Sequence, residues 1–149
     1  MDYNTNHKNS VNSMGMDYKI EHFEKFNDQR GELVVFLRNR SLKRKYKEFG
    51  QIYFVTFNKK GVIRANHYHR QMREWFGVIK GKVRVALVDI KTKESKNFTL
   101  DGNSKKYVRL EIGPGVVHGF KSISDEVSLL NYTNKEWLAK DVFSMEVIK

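Results

Sequence analysis

Lys80-Gly-Lys-Val-Arg-Val-Ala-Leu-Val-Asp-Ile90 reads as a tight turn followed by a strand. Val83, Val85 and Leu87 are two residues apart, so they share one face of an extended chain and supply core. Working outward, further short apolar or alternating runs appear at 32–37, 51–57, 62–66, 74–79, 95–100, 105–112, 116–122, 127–133 and 142–148. Turn signals separate them: Asn58-Lys-Lys-Gly61, Asp101-Gly102 and Gly113-Pro114-Gly115. Between 105 and 112, Lys106, Val108, Leu110 and Ile112 alternate with Lys105, Tyr107, Arg109 and Glu111, the pattern of a sheet with one buried face. Pro114, the single proline, sits in a turn where it breaks no ladder. About ten short strands predict an all-β fold, with a double-sheet jelly roll (a double-stranded β-helix) as the simplest closed choice. Arg38–Phe49 is the one stretch of helix-like composition, so one short helix or loop is predicted near 39–49.

The chain has 149 residues, a length suited to one domain. Residues 1–16 are polar and Asn-rich without apolar periodicity, and are predicted to form a disordered leader ahead of a single domain over 17–149. There is no Cys, which excludes a disulfide scaffold, a zinc finger and thiol catalysis. No apolar run reaches the roughly 18 residues of a membrane helix, and the opening residues lack a signal-peptide core. A soluble, cytoplasmic protein with no membrane partner is expected. The net charge of +11 invites anionic partners. Helix-turn-helix, zinc-module and RNP-like patterns are missing, so no nucleic-acid partner is expected.

Three histidines and one glutamate carry the chemistry. His67 and His69 are two apart and face the same way on a strand. Glu74 opens the next strand, and His118 follows the Gly113–Gly115 turn. If the chain returns through 113–120, all four converge inside a barrel. Such a set has two uses. It can hold a divalent metal, with His67, His69, Glu74 and His118 as the candidate ligands, because imidazole and carboxylate suit Zn, Fe, Ni or Mn. It can also be a metal-free acid/base site, because histidine titrates near neutral pH.

The spacing G-x5-H-x-H-x4-E-x6-G from Gly61 to Gly81 matches the first motif of the cupins, small jelly-roll barrels. The second motif is looser: Gly115-x2-His118 is present, with Gly113 in place of the usual proline and Ser122 in place of the usual asparagine. Among cupins, the chain resembles the 3,5-epimerases that act on dTDP-4-keto-6-deoxyglucose. Their "KGVLRGLHYQ", "VxGxVxDVAVDIR" and "IPPGFAHGF" are similar to Lys60–His69, Ile79–Ile90 and Ile112–Phe120, and their early "F-x-D-x-R-G" to Phe26–Gly31. The resemblance spans residues 26–137. The double histidine and the Tyr-containing strand at 51–55 also resemble the 3,4-ketoisomerases.

The resemblance implies epimerisation of a nucleotide-linked 4-keto-6-deoxyhexose by proton abstraction at C3, with C5 left open, in deoxysugar or surface-polysaccharide synthesis. Ketoisomerisation between C3 and C4 is the alternative, and a metal-dependent cupin enzyme is a further one. It implies His67 as the base, with His69 as the isomerases' second histidine. Arg64 and Arg30 are implied near the pyrophosphate, and His118 on the wall of the site. Glu74 stands where the epimerases carry a lysine that meets the oxyanion. Their proton-donating tyrosine aligns with Asn131, one place before Tyr132, so Tyr132 and Tyr53 are the two tyrosine candidates. No cofactor is required, a divalent metal can be accommodated, and a homodimer is expected. The epimerases' C-terminal region, with the Asp partner of their base, has little counterpart here, so single epimerisation at C3 comes first.

Overall fold

A computed structural model describes residues 11–12 and 15–149. Thirteen strands are found among them: β1 (Val11–Asn12), β2 (Tyr18–Glu24), β3 (Phe26–Asp28), β4 (Gly31–Leu33), β5 (Gln51–Phe57), β6 (Ile63–Tyr68), β7 (Glu74–Lys80), β8 (Lys82–Asp89), β9 (Ser95–Asp101), β10 (Lys106–Ile112), β11 (Val116–Ser122), β12 (Val127–Thr133) and β13 (Phe143–Ser144). They form a six-stranded sheet, β1-β2-β10-β7-β12-β5, a five-stranded sheet, β13-β6-β11-β8-β9, and a two-stranded hairpin, β3-β4. From β6 onward the chain passes back and forth between the two larger sheets, except for the β8–β9 hairpin within the five-stranded one, which is the jelly-roll arrangement expected from the sequence.

The core lies between the sheets. Val83, Val85 and Leu87 are fully buried while Lys82 and Arg84 are exposed, so the first half of β8 shows the alternation and Ala86 is buried as well. Phe76 and Val78 of β7, Leu110 and Ile112 of β10, and Val127 and Leu129 of β12 meet them from the other sheet. The turn joining β7 to β8 needs glycine at 81. Its φ is +78°, and a Cβ there would lie 2.1 Å from the Glu126 carbonyl oxygen.

Several expected boundaries shift for physical reasons. The strand expected at 32–37 pairs only at Glu32 and Leu33, in the second arm of the β3–β4 hairpin. Residues 34–49 then cross the outer face of the six-stranded sheet, making two single 3-10 turns at Asn39–Ser41 and Arg44–Tyr46 where a short helix or loop was expected. The strand expected at 142–148 is regular only at Phe143–Ser144. Of the expected leader, residues 1–10 and 13–14 lie outside the described residues. Val11–Asn12 pair with β2 and Met16 is buried in the core, so the domain begins before residue 17.

The outer face of β10 also departs from the one-sided pattern. Tyr107 and Arg109 are buried there, because the crossing segment covers them. The Arg109 guanidinium donates to Glu21 Oε2 at 2.6 Å and to the Phe36 carbonyl at 2.7 Å, and lies 4.6 Å from the centre of the Phe23 ring. Burial pushes the Glu21 carboxyl up, but hydrogen bonds from Lys19 and Arg109 outweigh it and hold the carboxyl below its usual range. Removing one partner of such a pair strands the other charge. Arg109→Ala is expected to cost about 3 kcal/mol, read from urea unfolding, and Arg109→Met combined with Glu21→Gln to cost less. A single substitution no worse than the double would contradict this reading.

Candidate active site

The site begins with an irregularity in β6. Ala65 and Asn66 have φ of +67° and +54°, left-handed values that non-glycine residues seldom adopt. Asn66 is the extra residue of a bulge: His118 pairs with His67, while Gly119 pairs with Ala65. The bulge re-aims the strand, and the His67 and His118 rings come to lie 4.8 Å apart. His69 follows just beyond β6, its ring 4.9 Å from that of His67. Glu74 arrives from the opposite sheet as the first residue of β7, so the carboxylate faces the imidazoles across the core. The three imidazoles each offer a nitrogen within 4.8 Å of the others.

Hydrogen bonds set the polarity of two rings. His69 Nδ1 lies 2.8 Å from the Asp141 carbonyl oxygen, and His118 Nδ1 3.2 Å from that of Val116. A carbonyl can only accept, so each Nδ1 carries a proton, and each Nε2 presents a lone pair whenever its ring is neutral. Both lone pairs face Glu74, whose Oε2 is 3.2 Å from His118 Nε2 and 3.8 Å from His69 Nε2. The other carboxylate oxygen accepts from Asn131 Nδ2 at 3.3 Å. Lone pair against lone pair is repulsive, so a proton or a cation must lie between Glu74 and the rings.

Burial decides the charges. Glu74, His69 and His118 are each at most 3% exposed, and His67 is half-buried. Desolvation drives the Glu74 carboxyl up to about 7, with His69 and Asn131 opposing. Desolvation, with His118 and His69 as neighbours, brings His67 down to about 3, and His118 falls to about 4. The protein alone therefore holds neutral His67 and His118 beside a carboxyl that exchanges its proton near neutral pH. The donor set of three nitrogens and one carboxylate also fits a divalent transition-metal ion, since each Nε2 of His69 and His118 is already oriented by a bond at Nδ1.

A cavity of about 150 Å³ opens onto this cluster. His67, Glu74 and His118 lie on its wall with Tyr53 and Arg64, and the remainder is apolar: Val55, Phe57, Ala65, Phe76, Phe120 and Leu129. His69 is packed behind the wall. Burial, with Glu74 nearby, pushes the Tyr53 hydroxyl up, so it stays a phenol. Arg64 is exposed, its Nε donating to the Thr56 carbonyl at 3.1 Å.

Two expected site residues are elsewhere. Tyr132 points to the outer face of its sheet, stacked near Trp75 and donating from its hydroxyl to the Glu48 carbonyl at 3.1 Å. Strand alternation gives the inward place to Asn131, one residue earlier. Arg30 sits on the exposed β3–β4 hairpin in a pair with Asp28 and is not on the cavity wall. Two residues were not anticipated in these roles. Asn131, fully buried, holds Glu74, and its inward place follows from the period of β12. Asp141, 72 residues from His69 in the chain, bonds that ring through its backbone, and no local pattern announces it.

The raised Glu74 carboxyl has a stability consequence. Its value rises from 4.5 to about 7 on folding, so its contribution is complete below pH 4.5 and is lost as the pH climbs toward 7. In chelator-treated protein, Glu74→Gln abolishes that loss. Relative to the parent, the variant is expected to gain roughly 3 kcal/mol on going from acid to mildly alkaline buffer, measured by urea unfolding at both pH values. The same pH dependence in both proteins would contradict the assignment.

No curated protein matches the chain. Among solved structures, the dTDP-6-deoxy-D-glucose-3,5-epimerase of Legionella pneumophila Philadelphia 1, in complex with dTDP-4-keto-L-rhamnose, is 22% identical, with a TM-score of 0.76 over 91% of this chain and 76% of its own. A 3'-monoepimerase from Streptomyces bikiniensis, in complex with dTDP-quinovose, is 14% identical, with a TM-score of 0.78 over 90% of this chain and 72% of its own. A sugar 3,4-ketoisomerase from Thermoanaerobacterium thermosaccharolyticum, in complex with TDP, is 21% identical, with a TM-score of 0.72 over 87% of this chain and 89% of its own. At these identities the shared property is the fold, which is the all-β cupin jelly roll. Residues 24–142 match a family in sequence as well, and the chain belongs to that family, the polysaccharide biosynthesis C-terminal domain.

Proposed function

We propose that this chain is a cytoplasmic isomerase of a nucleotide-linked 4-keto-6-deoxyhexose, epimerising C3 next to the C4 ketone, in polysaccharide or deoxysugar synthesis. The observation that carries the reading is the cluster of His67, His118 and Glu74 on one wall of a cavity otherwise lined by apolar side chains. A space of about 150 Å³ suits a single sugar ring, and apolar walls suit a substrate with a methyl group at C6. The nucleotide would then lie outside, past Arg64, whose guanidinium fork suits diphosphate oxygens.

The chemistry divides among these groups. His67 is neutral and faces the cavity, so it can take the C3 proton. The C–H electron pair moves into the C3–C4 bond, and the carbonyl pair moves onto oxygen to give an enolate. Protonated Glu74 turns its proton from the His118 ring to that oxygen, the part a lysine would otherwise play. Tyr53, held as a phenol, returns a proton to C3 from another direction, which inverts the centre. A positioned acid or base contributes about 10²–10⁴ in rate. A divalent ion held by His67, His69, His118 and Glu74 would supply Lewis-acid polarisation of the ketone when bound. The second reading, ketoisomerisation, is favoured by the paired His67 and His69, whose rings are 4.9 Å apart.

Incubation with dTDP-4-keto-6-deoxyglucose in deuterated water, followed by NMR with and without chelator, tests this. Deuterium at C3 with the ketone still at C4 is the expected result, with His67→Asn at least about 100-fold slower. A ketone moved to C3 would replace epimerisation by ketoisomerisation. No exchange in either condition would overturn the sugar-nucleotide reading.

We also propose a homodimer. Phe49, Ile52 and Phe54 are 72%, 58% and 73% exposed, and the last two lie on β5, the edge strand of the six-stranded sheet. A second copy covering this patch would remove an apolar surface and an open edge together. Light scattering is expected to give twice the chain mass, falling to one chain mass in Phe54→Lys. A monomeric parent would refute it.

A further inference from the structure

The segment from Asp141 onward makes contact with each histidine of the cluster or with its immediate neighbour. The Asp141 carbonyl accepts from His69, and its carboxylate accepts from the backbone N–H groups of Arg70 and Gln71 at 3.0 and 3.3 Å. β13 pairs with the end of β6, setting Ser144 opposite His67, and the Phe143 ring stacks on Tyr68 at 5.2 Å. Beyond β13 regular pairing stops, and one side chain takes over. Asn66 Oδ1 accepts from the N–H groups of Val147 and Ile148 at 3.1 and 3.2 Å, and its Nδ2 donates to the Ile148 carbonyl at 3.0 Å. The Asn66 carbonyl also accepts from the Met145 N–H at 2.9 Å.

The opposite strand is shaped to admit this arrangement. Gly119, next to His118, has no room for a Cβ. One placed there would lie 2.5 Å from Ile148 Cγ2 and 2.6 Å from Asn66 Oδ1. The backbone at 65–66 needs such support. Two successive non-glycine residues in the left-handed region are strained, Ala65 more than Asn66. Relaxation of either toward ordinary strand geometry would remove the bulge, and a one-residue change of register turns the next side chain to the opposite face. His67 is that next side chain.

From these contacts we infer that residues 141–149 act as a strap that sets the orientation of His67 and His69, with Asn66 as its clamp. Asn66 is thereby a positioning residue. It reaches the reaction only through the neighbouring imidazole. The inference rests on the histidine cluster being the working site, and it concerns what holds that cluster in place.

Three variants test it: Asn66→Gly, which keeps the left-handed backbone accessible while removing the clamp; Asn66→Asp, which keeps the acceptor for Val147 and Ile148; and removal of residues 145–149. The readout is the nitrogen–proton NMR spectrum of the imidazoles in chelator-treated protein, with amide exchange at 147 and 148. In Asn66→Gly, cooperative unfolding is expected to persist. The two amides should exchange at least about tenfold faster, and the His67 and His69 resonances should shift or broaden. The truncation should reproduce the imidazole change, and Asn66→Asp should largely restore the parent spectrum. In the turnover assay, kcat should fall by about tenfold or more, the range for groups that orient working side chains, while KM changes little.

Released amides with unchanged imidazole resonances would overturn the inference, since the segment would then be packing alone. Loss of cooperative folding in both Asn66→Gly and the truncation would also overturn it. The imidazole readout needs no substrate, so a parent protein inactive on sugar nucleotides would count against the proposed activity and leave the strap standing.

Discussion

Burying the Glu74 carboxylate among imidazoles is the constraint on which the rest of this structure depends. A desolvated carboxylate is costly unless something positive or a proton meets it. Here the imidazole nitrogens facing Glu74 are His118 Nε2 at 3.2 Å and His69 Nε2 at 3.8 Å, with both rings already donating from Nδ1 to backbone carbonyls. A site built in this way has a standing demand for a proton or a cation. That demand makes the carboxyl a usable acid near neutral pH, and it makes the same residues a fitting ligand set for a divalent ion.

The fold meets this demand by dividing the labour between its sheets. The five-stranded sheet supplies His67 and His118 on adjacent strands, and the six-stranded sheet supplies Glu74 and the Asn131 that holds it. The apolar residues between the sheets keep water away from the cluster, which strengthens the electrostatics within it. The price is local strain at Ala65 and Asn66, at the point where β6 must turn a histidine inward.

Much of this was legible in the sequence, and the limits have physical causes. Strands with one buried face, such as β8, announce themselves by period, and the spacing from Gly61 to Gly81 brings His67, His69 and Glu74 together. Tyr132 faces outward because the resemblance aligns the family's tyrosine with Asn131, and one residue reverses the face of a strand. The burial of Arg109 was hidden because a segment more than 60 residues earlier in the chain covers it. Asp141 and the partners of Asn66 join through contacts more than 70 residues apart, for which local spacing carries no signal.

The most direct test of the account is the carboxyl carbon of Glu74, followed by NMR across the pH range in chelator-treated protein and assigned with Glu74→Gln. The account predicts a midpoint near 7, displaced from the ordinary 4.5 by burial, with His69 and Asn131 opposing. A midpoint at the ordinary value would mean that the carboxylate is solvated or already neutralised, and the coupled site described here would not exist.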